Sequence, residues 1–294
     1  MNTIGARKYW LSFSGILVLL SVGVLVTNQA TRGSVLNFGV DFTGGSLLTY
    51  RLHDDVDVAK VRTAVSPLGL AESTIQKSGD QDVTIRTQPL DDGTRLKVTA
   101  AVTQAYPKAE ALSVDTIGPV VGKELRVQAL WALLVASLLI TVYVTYRFEW
   151  RYAIAALLAL YHDAIITTGV MAMLWANVET PFIAAILTIM GYSIMDTIVI
   201  FDRIRENLKK DGKIKQPFGE LVNDSLLQTM ARSINTVLTV LFMNVMLLLF
   251  GGAPIREFVL TLLIGFSSGA YSSIFVASPL LVVWQNRTAV RSKK

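Results

Sequence analysis

Six long apolar runs dominate the pattern of hydrophobic and polar positions along the chain. An α-helix rises 1.5 Å per residue, so about 20 apolar residues cross the ~30 Å hydrocarbon core of a bilayer. The runs cover residues 9–27, 130–146, 152–175, 181–201, 234–250 and 258–284. The pattern predicts a polytopic α-helical membrane protein with six transmembrane helices.

Residues 33–125, which separate the first run from the second, have a different pattern of apolar and polar positions. Apolar and polar residues alternate there with the period of two that is typical of strands, and helical periods lie between them. Strands are predicted over residues 46–52, 73–78, 82–88 and 110–117, and helices over residues 55–69 and 91–106. Asp55 or Asp57 is placed to cap the first helix, and Asp91 or Asp92 the second. The βαββαβ order predicts a ferredoxin-like domain.

These patterns divide the chain into four parts. Residues 1–30 form an N-terminal tip with the first transmembrane helix, and residues 31–126 form the ferredoxin-like domain. Residues 127–286 form a five-helix transmembrane bundle with a basic loop at 203–231, and residues 287–294 form a basic tail. The first run has no small-x-small cleavage site after it, so we expect a retained anchor and not a cleaved signal peptide.

The composition indicates that much of the chain faces lipid, and the distribution of charge indicates how the chain is oriented in the membrane. Of the 294 residues 52% are hydrophobic, and the mean hydropathy of +0.49 exceeds what a soluble core of this length requires. The absence of cysteine excludes disulfides and thiolate metal sites. The basic residues behind the net charge of +5 concentrate in alternate short segments between the runs. The positive-inside rule therefore places both termini in the cytoplasm and the ferredoxin-like domain outside, and nucleic-acid binding is not indicated.

The stretch "FGVDFTGG" opens the extracytoplasmic domain and contains Asp41, Gly44 and Gly45. A phosphate-binding loop leads from a strand into a helix and usually carries a following Lys with Ser or Thr. Here the glycines lead into another strand. We therefore predict a tight turn, in which Asp41 hydrogen-bonds its own backbone ahead and the glycines adopt positive φ.

Ionisable residues inside the runs are the main candidates for function. Asp163 lies near the middle of the third run, Asp196 lies in the fourth, and Arg232 opens the fifth. A charge at the bilayer centre costs roughly 2.5–3.5 kcal/mol on insertion scales, so these side chains must face protein or water. In one interpretation Asp196 and Arg232 form a buried ion pair and Asp163 only hydrogen-bonds. In the other the carboxylates line a proton path, since burial favours the protonated acid and a nearby guanidinium favours the carboxylate.

Two neighbouring features each have a structural and a functional interpretation. His162, beside Asp163, is either a packing residue or a proton relay. Small residues in the sixth run indicate close helix packing, and a moving interface would show the same pattern; they are Gly265, Ser268, Gly269 and Ser272.

Several segments, in the same order along the chain, resemble the SecF family, the smaller partner of SecD in the bacterial SecDF translocation complex. They are "FGVDFTGG", "TIGPVVGKELRVQAL", "ALLALYHDAIITTGV", "AAILTIMGYSIMDTIVIFDRIRENL" and "FGGAPIREFVLTLLIGFSSGAYSSIFVASPL". Asp196 matches the family's essential transmembrane carboxylate, and Arg232 matches its essential arginine. Asp41, Gly44 and Gly45 match the motif that opens the extracytoplasmic domain. Met195 departs from the family, which usually has Asn before the Asp.

The resemblance implies half of a transporter similar to the resistance-nodulation-division (RND) superfamily, in the bacterial inner membrane. With SecD it would use the proton-motive force to promote late translocation and release of unfolded preproteins. The implied partners are SecD, the SecYEG channel with YajC or YidC, protons and membrane lipids; no cofactor, metal or enzymatic activity is implied. An RND-like exporter of small molecules or lipids would share the spans, and a non-transporting scaffold of the Sec channel would tolerate Asp196→Asn.

Overall fold

Six helices of the computed structural model, which describes residues 3–79, 81–210 and 216–291, are long and apolar enough to cross a membrane. This confirms the six predicted spans and a multi-pass membrane protein. The spans are α1 (Arg7–Arg32), α5 (Pro119–Arg147), α6 (Trp150–Met173), α7 (Thr180–Lys210), α8 (Phe218–Phe250) and a sixth, Arg256–Gln285. The sixth span consists of α9 (Arg256–Ser272), a π-helical segment (Ser273–Ala277) and the first part of α10 (Ser278–Arg291).

The bundle has a buried centre and an exposed periphery. In the most apolar 18-residue stretch of α6, of α7 and of the sixth span, 44–61% of the residues are buried inside the chain, compared with 6–17% in α1, α5 and α8. The three peripheral helices therefore present most of their apolar surface to lipid or to other chains.

Helix α8 begins sixteen residues before the fifth apolar run, which started at residue 234. Its first turns are amphipathic, and their buried residues Leu221, Val222 and Leu226 pack in the same core as Ile204 of α7 and Leu281 of α10. A search for continuous apolar runs misses such an amphipathic extension. The predicted basic loop 203–231 is consequently mostly helical, and its residues 211–215, like residues 292–294 of the predicted tail, lie outside the described part of the chain.

Between α1 and α5 lies an α/β module, residues 45–117, with the six elements that the alternation predicted. They are β2 (Gly45–Arg51), α3 (Val58–Val65), β3 (Thr74–Lys77), β4 (Asp82–Thr87), α4 (Asp92–Ala105) and β5 (Glu110–Ile117). The sheet order is β3-β4-β2-β5, and all its pairs are antiparallel. Leu48, Tyr50 and Ile85 of the sheet share one core with Val61 of α3 and Val98 of α4.

The caps of both module helices are those that the sequence left as alternatives. Asp57 accepts hydrogen bonds from the backbone of Ala59 (2.9 Å) and Lys60 (3.3 Å). Asp91 accepts one from the backbone of Thr94 (2.7 Å). Each cap satisfies N–H groups that the first helical turn leaves without partners.

A short parallel pair of strands joins the module to the bundle. Strand β1 (Asn37–Phe38) follows α1, strand β6 (Asn177–Val178) follows α6, and the backbone N–H of Gly39 extends the pair by donating to the carbonyl of Val178 (2.8 Å). The predicted tight turn is a single helical turn, α2 (Val40–Thr43). We call β1, α2 and β6, with the side chains that contact them, the junction.

Gly44 and Gly45 have the positive φ predicted for them, at 76° and 131°. Gly44 also has ψ of 160°, a combination that is essentially confined to glycine. A Cβ on Gly44 would lie 2.9 Å from the Cα of Pro119, and one on Gly45 would lie 2.4 Å from the carbonyl oxygen of Thr87. The pair is required because the backbone passes close to both α5 and β4 in a conformation that other residues avoid.

We expect Gly44→Ala to weaken the junction, since it adds roughly 1–3 kcal/mol of backbone strain and a contact with Pro119. Gly69→Ala is the matched control: Gly69 has a left-handed φ of 79°, but nothing lies within 4 Å of the place that an added methyl group would take, so it costs only about 1 kcal/mol. Thermal unfolding and limited proteolysis of the full chain in detergent measure both. Equal destabilisation by the two variants would contradict the steric argument.

Candidate functional site

Asp163 is a fully buried carboxylate at the centre of the bundle, with 0% of its surface exposed. It accepts hydrogen bonds from Ser193 of α7 (2.7 Å) and from Ser268 and Ser272 of α9 (2.7 and 2.6 Å). Charge-assisted hydrogen bonds of this kind are the stronger ones in proteins. Asp163 thus holds α6, α7 and α9 together through three hydroxyl groups.

His162 lies beside this carboxylate, and its Nδ1 atom is 3.1 Å from an oxygen of Asp163. Its ring stacks on Tyr271, with ring centroids 6.1 Å apart. The other ring nitrogen, Nε2, is buried and has no hydrogen-bond partner within residues 3–79, 81–210 and 216–291. The ring therefore both packs and keeps one nitrogen open, so packing and relay remain the two interpretations of His162.

Asp196 lies on the buried face of α7, towards α8, and 9% of its surface is exposed. Its Oδ1 atom accepts a hydrogen bond from Ser233 of α8 (2.6 Å). Its Oδ2 atom is buried and accepts no hydrogen bond of normal geometry from any residue that the structure describes, although the hydroxyl of Ser273 interacts with this carboxylate. In contrast to Asp163, Asp196 is only half satisfied. Met195 is 50% exposed on the outside of α7, so the departure from the family lies on the surface.

Hydroxyl groups connect the surroundings of the two carboxylates. Ser273 contacts Thr197 (3.0 Å between hydroxyl oxygens) and donates to the carbonyl of Ser193 (3.4 Å). Ser193 and Ser272 bind Asp163, and the hydroxyl of Ser273 interacts with the carboxylate of Asp196. We call Ser193, Ser272, Ser273 and Thr197 the hydroxyl row. It lies where the sixth span changes to a π-helix, a distortion that is frequent at functional sites.

The buried ion pair between Asp196 and Arg232, one of the two interpretations of the sequence, is not formed. Among the described residues Arg232 makes no ion pair, and its side chain is on the exposed face of α8. It lines a cavity of about 520 Å³ beside the α7–α8 contact, which it shares with Asp202 and Glu206. Because Ser233 follows it directly, Arg232 is adjacent to the hydrogen bond of Asp196 without taking part in it.

Asp41 caps a distant helix and does not bond its own turn as the sequence had suggested. Its Oδ2 atom accepts a hydrogen bond from the backbone N–H of Thr180 (2.8 Å), the first residue of α7. A carboxylate at this position also complements the positive end of the helix. Asp41 therefore attaches the junction to the helix that carries Asp196 sixteen residues later, roughly 24 Å along the axis.

Arg86 of β4 connects the module to both strands of the junction. Its guanidinium donates to the side chain of Asn37 (3.0 Å), to the carbonyl of Phe38 (3.2 Å) and to the side chain of Asn177. Burial lowers the pKa of this guanidinium, while Glu179 and Glu257 raise it. The three acceptors come from two segments that are far apart in sequence, so one side chain holds β1, β6 and the sheet together.

Glu179 lies next to this contact with its Oε1 atom buried and, within the described part of the chain, unbonded. The pKa of Glu179 is raised from 4.5 to about 7, mainly by burial and also by the nearby carboxylates of Asp41, Glu257 and Asp115, while Arg86 acts in the opposite direction. Glu179 also lines a cavity of about 130 Å³ between the sheet and the bundle. The junction therefore contains an acid that changes its charge near neutral pH.

Protonation of Glu179 should stabilise the junction in the arrangement that the structure shows, which we call the closed junction. A pKa raised from 4.5 to about 7 means that the closed form binds the proton more tightly, so stability is full below pH ~4.5 and falls by up to about 3 kcal/mol as the pH rises through 7. Hydrogen exchange of the Gly39 amide, corrected for intrinsic rates, measures this. We expect Glu179→Gln to remove the pH dependence and Glu72→Gln, an exposed acid of the module, to retain it. An unchanged slope in Glu179→Gln would contradict the assignment.

The residues that sequence reasoning missed are the partners of the candidate carboxylates. Ser268 and Ser272 were interpreted as small residues of a packed or moving helix interface and not as hydrogen-bond donors, although their spacing of four places both hydroxyls on one helix face. Packing does explain the glycines, since a Cβ on Gly265 would lie 2.1 Å from a carbon of Ile189. Arg86 and Glu179 carried no signal, because their surroundings depend on contacts between distant segments, such as those of Arg86 with Asn37, 49 residues away, and with Asn177, 91 residues away. The described residues contain no group of three or more His, Cys, Asp or Glu that could hold a metal ion.

Comparison with known proteins identifies the family to which the chain belongs. Residues 97–287 match the family "Protein export membrane protein SecD/SecF, C-terminal", and residues 33–56 match the "SecD/SecF GG Motif". Protein translocase subunit SecF of Desulfurispirillum indicum is 39% identical over 290 residues, which cover 96% of this chain and 90% of that relative.

Solved structures show the same fold. The crystal structure of SecDF from Thermus thermophilus superimposes with a TM-score of 0.88 at 38% identity over 97% of this chain. SecDF in its super-membrane-facing form gives 0.72 at 36% identity over the whole chain. The chain spans only 39–40% of the length of those SecDF chains. With full-length similarity to SecF and matches to both family regions, this chain belongs to the SecF family of protein translocase subunits.

Proposed function

We propose that this chain works with a SecD subunit to use the proton-motive force in late translocation and release of preproteins by the Sec system. The observation that carries the proposal is the half-satisfied carboxylate of Asp196, buried at the contact between α7 and α8. A charge there is costly, so the protonation state of Asp196 and the packing of the two helices depend on each other.

Protonation would act through the contact with α8. The ionised Asp196 needs donors for both oxygens, and Ser233 supplies one of them. Arg232 is the adjacent residue on α8, and a change in α7–α8 packing brings its guanidinium towards the second oxygen. Protonation removes the need for that cation, so the two states of the acid favour two arrangements of α8. In this proposal Asp163 and the hydroxyl row belong to the same proton pathway.

Helix α7 connects a change in the protonation of Asp196 to the module. Asp41 caps the first residue of α7, and Arg86 attaches the module to the same junction. A displacement of α7 is therefore passed to the α/β module through two charged contacts and not through a flexible linker. Asp41, Gly44 and Gly45 are in this proposal the hinge on which the module moves.

The orientation, the class of the module and the partners follow from the same reasoning. We infer that the module is ferredoxin-like from its element order and its strand order, and that it lies outside the bacterial inner membrane with both termini in the cytoplasm. As part of the same inference, we propose that the module extends over residues 31–126 and that the five-helix bundle extends over residues 127–286. SecD would cover the exposed face of α8 with Arg232; SecYEG, with YajC or YidC, and the unfolded preprotein are the further partners that family membership suggests.

We expect Asp196→Asn to abolish the proton-gradient-dependent part of preprotein translocation, a loss of about tenfold or more, because no other ionisable group lies at that depth of α7. Membrane vesicles with equal amounts of the subunit and its SecD partner measure completion of translocation with and without a gradient. The matched control is Asp202→Asn, which alters a half-exposed acid of the same helix, α7. Asp202 pairs with Arg147 of α5, and this variant should retain activity.

Unchanged translocation in Asp196→Asn would refute the proposal and leave the scaffold function, since a scaffold needs no titrating acid. An RND-like exporter predicts a different result, in which gradient-dependent movement of a small molecule or lipid is lost and preprotein release is unaffected.

Asp163 has more hydrogen bonds to lose than Asp196. We expect Asp163→Asn to lower both the transport activity and the thermal stability, by roughly 1.5–3 kcal/mol for a lost charge-assisted contact, whereas Asp196→Asn keeps the stability of the wild type. Thermal unfolding in detergent and the vesicle assay measure the two effects separately. If Asp163→Asn were as stable and as active as the wild type, Asp163 would belong to neither the core nor the proton pathway.

A further inference from the structure

An apolar groove opens sideways between α5 and the α6–α7 pair on the module side of the membrane. Its volume is about 430 Å³. Its lining includes Ala129, Leu133 and Ser137 of α5, Tyr161 and Thr168 of α6, and Ile183, Ile186 and Met190 of α7. We call it the α5 groove. Its α6–α7 side is packed core, with Ile186 and Met190 each 4% exposed, whereas α5 is one of the three peripheral helices.

The groove has the depth of one lipid leaflet. On α5 it extends from Arg126 to Ser137, eleven residues or roughly 16 Å, compared with about 15 Å for half of a hydrocarbon core. Arg126, Ala129, Leu130, Leu133 and Ser137 follow one another at the spacing of a single helix face. The groove is thus a continuous apolar channel from the membrane surface to its middle.

Two cations stand at the surface end of the groove. Arg126 lines it, and Lys123 lies one turn earlier on α5, nearer the module. Both side chains are exposed, and neither forms an ion pair with a residue in the described ranges. The neighbouring acid, Glu124, instead accepts a hydrogen bond from Gln128 (3.2 Å). The mouth of the groove therefore carries two cations and one acid, a net positive charge, at the module end of the apolar part of α5.

The inner wall of the groove is part of the junction. Phe38 of β1 and Phe42 of α2 both line it, and Phe42 is only 2% exposed. Phe182 of the first turn of α7 completes this end. A molecule in the groove consequently touches β1 and α2 of the junction, and also α7, the helix that carries Asp196.

We propose that the α5 groove binds one anionic phospholipid of the module-side leaflet, with an acyl chain in the groove and the phosphate between Arg126 and Lys123. The charge at the mouth favours this occupant over a helix of a partner, whose apolar face would leave both cations unpaired in the membrane. Contact with Phe38 and Phe42 makes the lipid a support of the closed junction.

The test uses the full chain, purified with its SecD partner in mild detergent and exposed to dioleoyl phosphatidylglycerol, to dioleoyl phosphatidylcholine or to inorganic phosphate. Native mass spectrometry counts retained lipids. We expect preferential retention of phosphatidylglycerol, reduced about fivefold in Arg126→Gln, the effect of one basic group at an anionic surface. Lys108→Gln, an exposed lysine of the module, is the charge-matched control and should retain the lipid.

A second variant blocks the groove and keeps the cations. Ala129→Trp should displace the lipid as strongly as Arg126→Gln, and thermal unfolding shows that the variant is folded. Equal retention of phosphatidylglycerol by the wild type, Arg126→Gln and Ala129→Trp would overturn the proposal. A second pair of results would also overturn the proposal: inorganic phosphate displaces phosphatidylglycerol, and phosphatidylcholine is retained as well as phosphatidylglycerol. The mouth would then bind an ion and not a lipid.

Discussion

A carboxylate inside hydrocarbon must find its hydrogen bonds within the protein, and this constraint organises the bundle. Asp163 meets it with three serine hydroxyls from two neighbouring helices. Those contacts determine which faces of α6, α7 and α9 meet, and glycines such as Gly265 let the backbones come close enough. The buried centre of the bundle is thus built around a polar group, while apolar side chains fill the space around it.

Asp196 shows how the same requirement can be left incomplete. It has one donor from α8 and one oxygen without a partner among the described residues. A fully bonded acid resists a change of charge, whereas a partly bonded one alters its surroundings when it gains or loses a proton. The two acids lie on adjacent helices, and hydroxyl groups connect their surroundings, so a fully bonded carboxylate and a partly bonded one share the buried centre of the bundle.

Periodicity alone was sufficient for much of the architecture. The six spans follow from apolar length, and the module elements follow from alternation, because both signals are local in sequence. The amphipathic start of α8 was missed, since only one of its faces is apolar. The positions of Asp163 and Asp196 were predictable because charge is rare within a span. Their serine partners, and the role of Asp41 as a cap for α7, were not, because each depends on which helices become neighbours.

The parallel pair of β1 and β6 joins Asn37 to Asn177, segments separated by the entire module and by two membrane spans. During synthesis the first strand leaves the ribosome long before the second, and it has no partner until α6 has been inserted. The chain must therefore carry an unpaired edge, with the glycine pair beside it, while the module and the next two spans are made. Completion of the junction is a later step that reports correct insertion of the second and third spans.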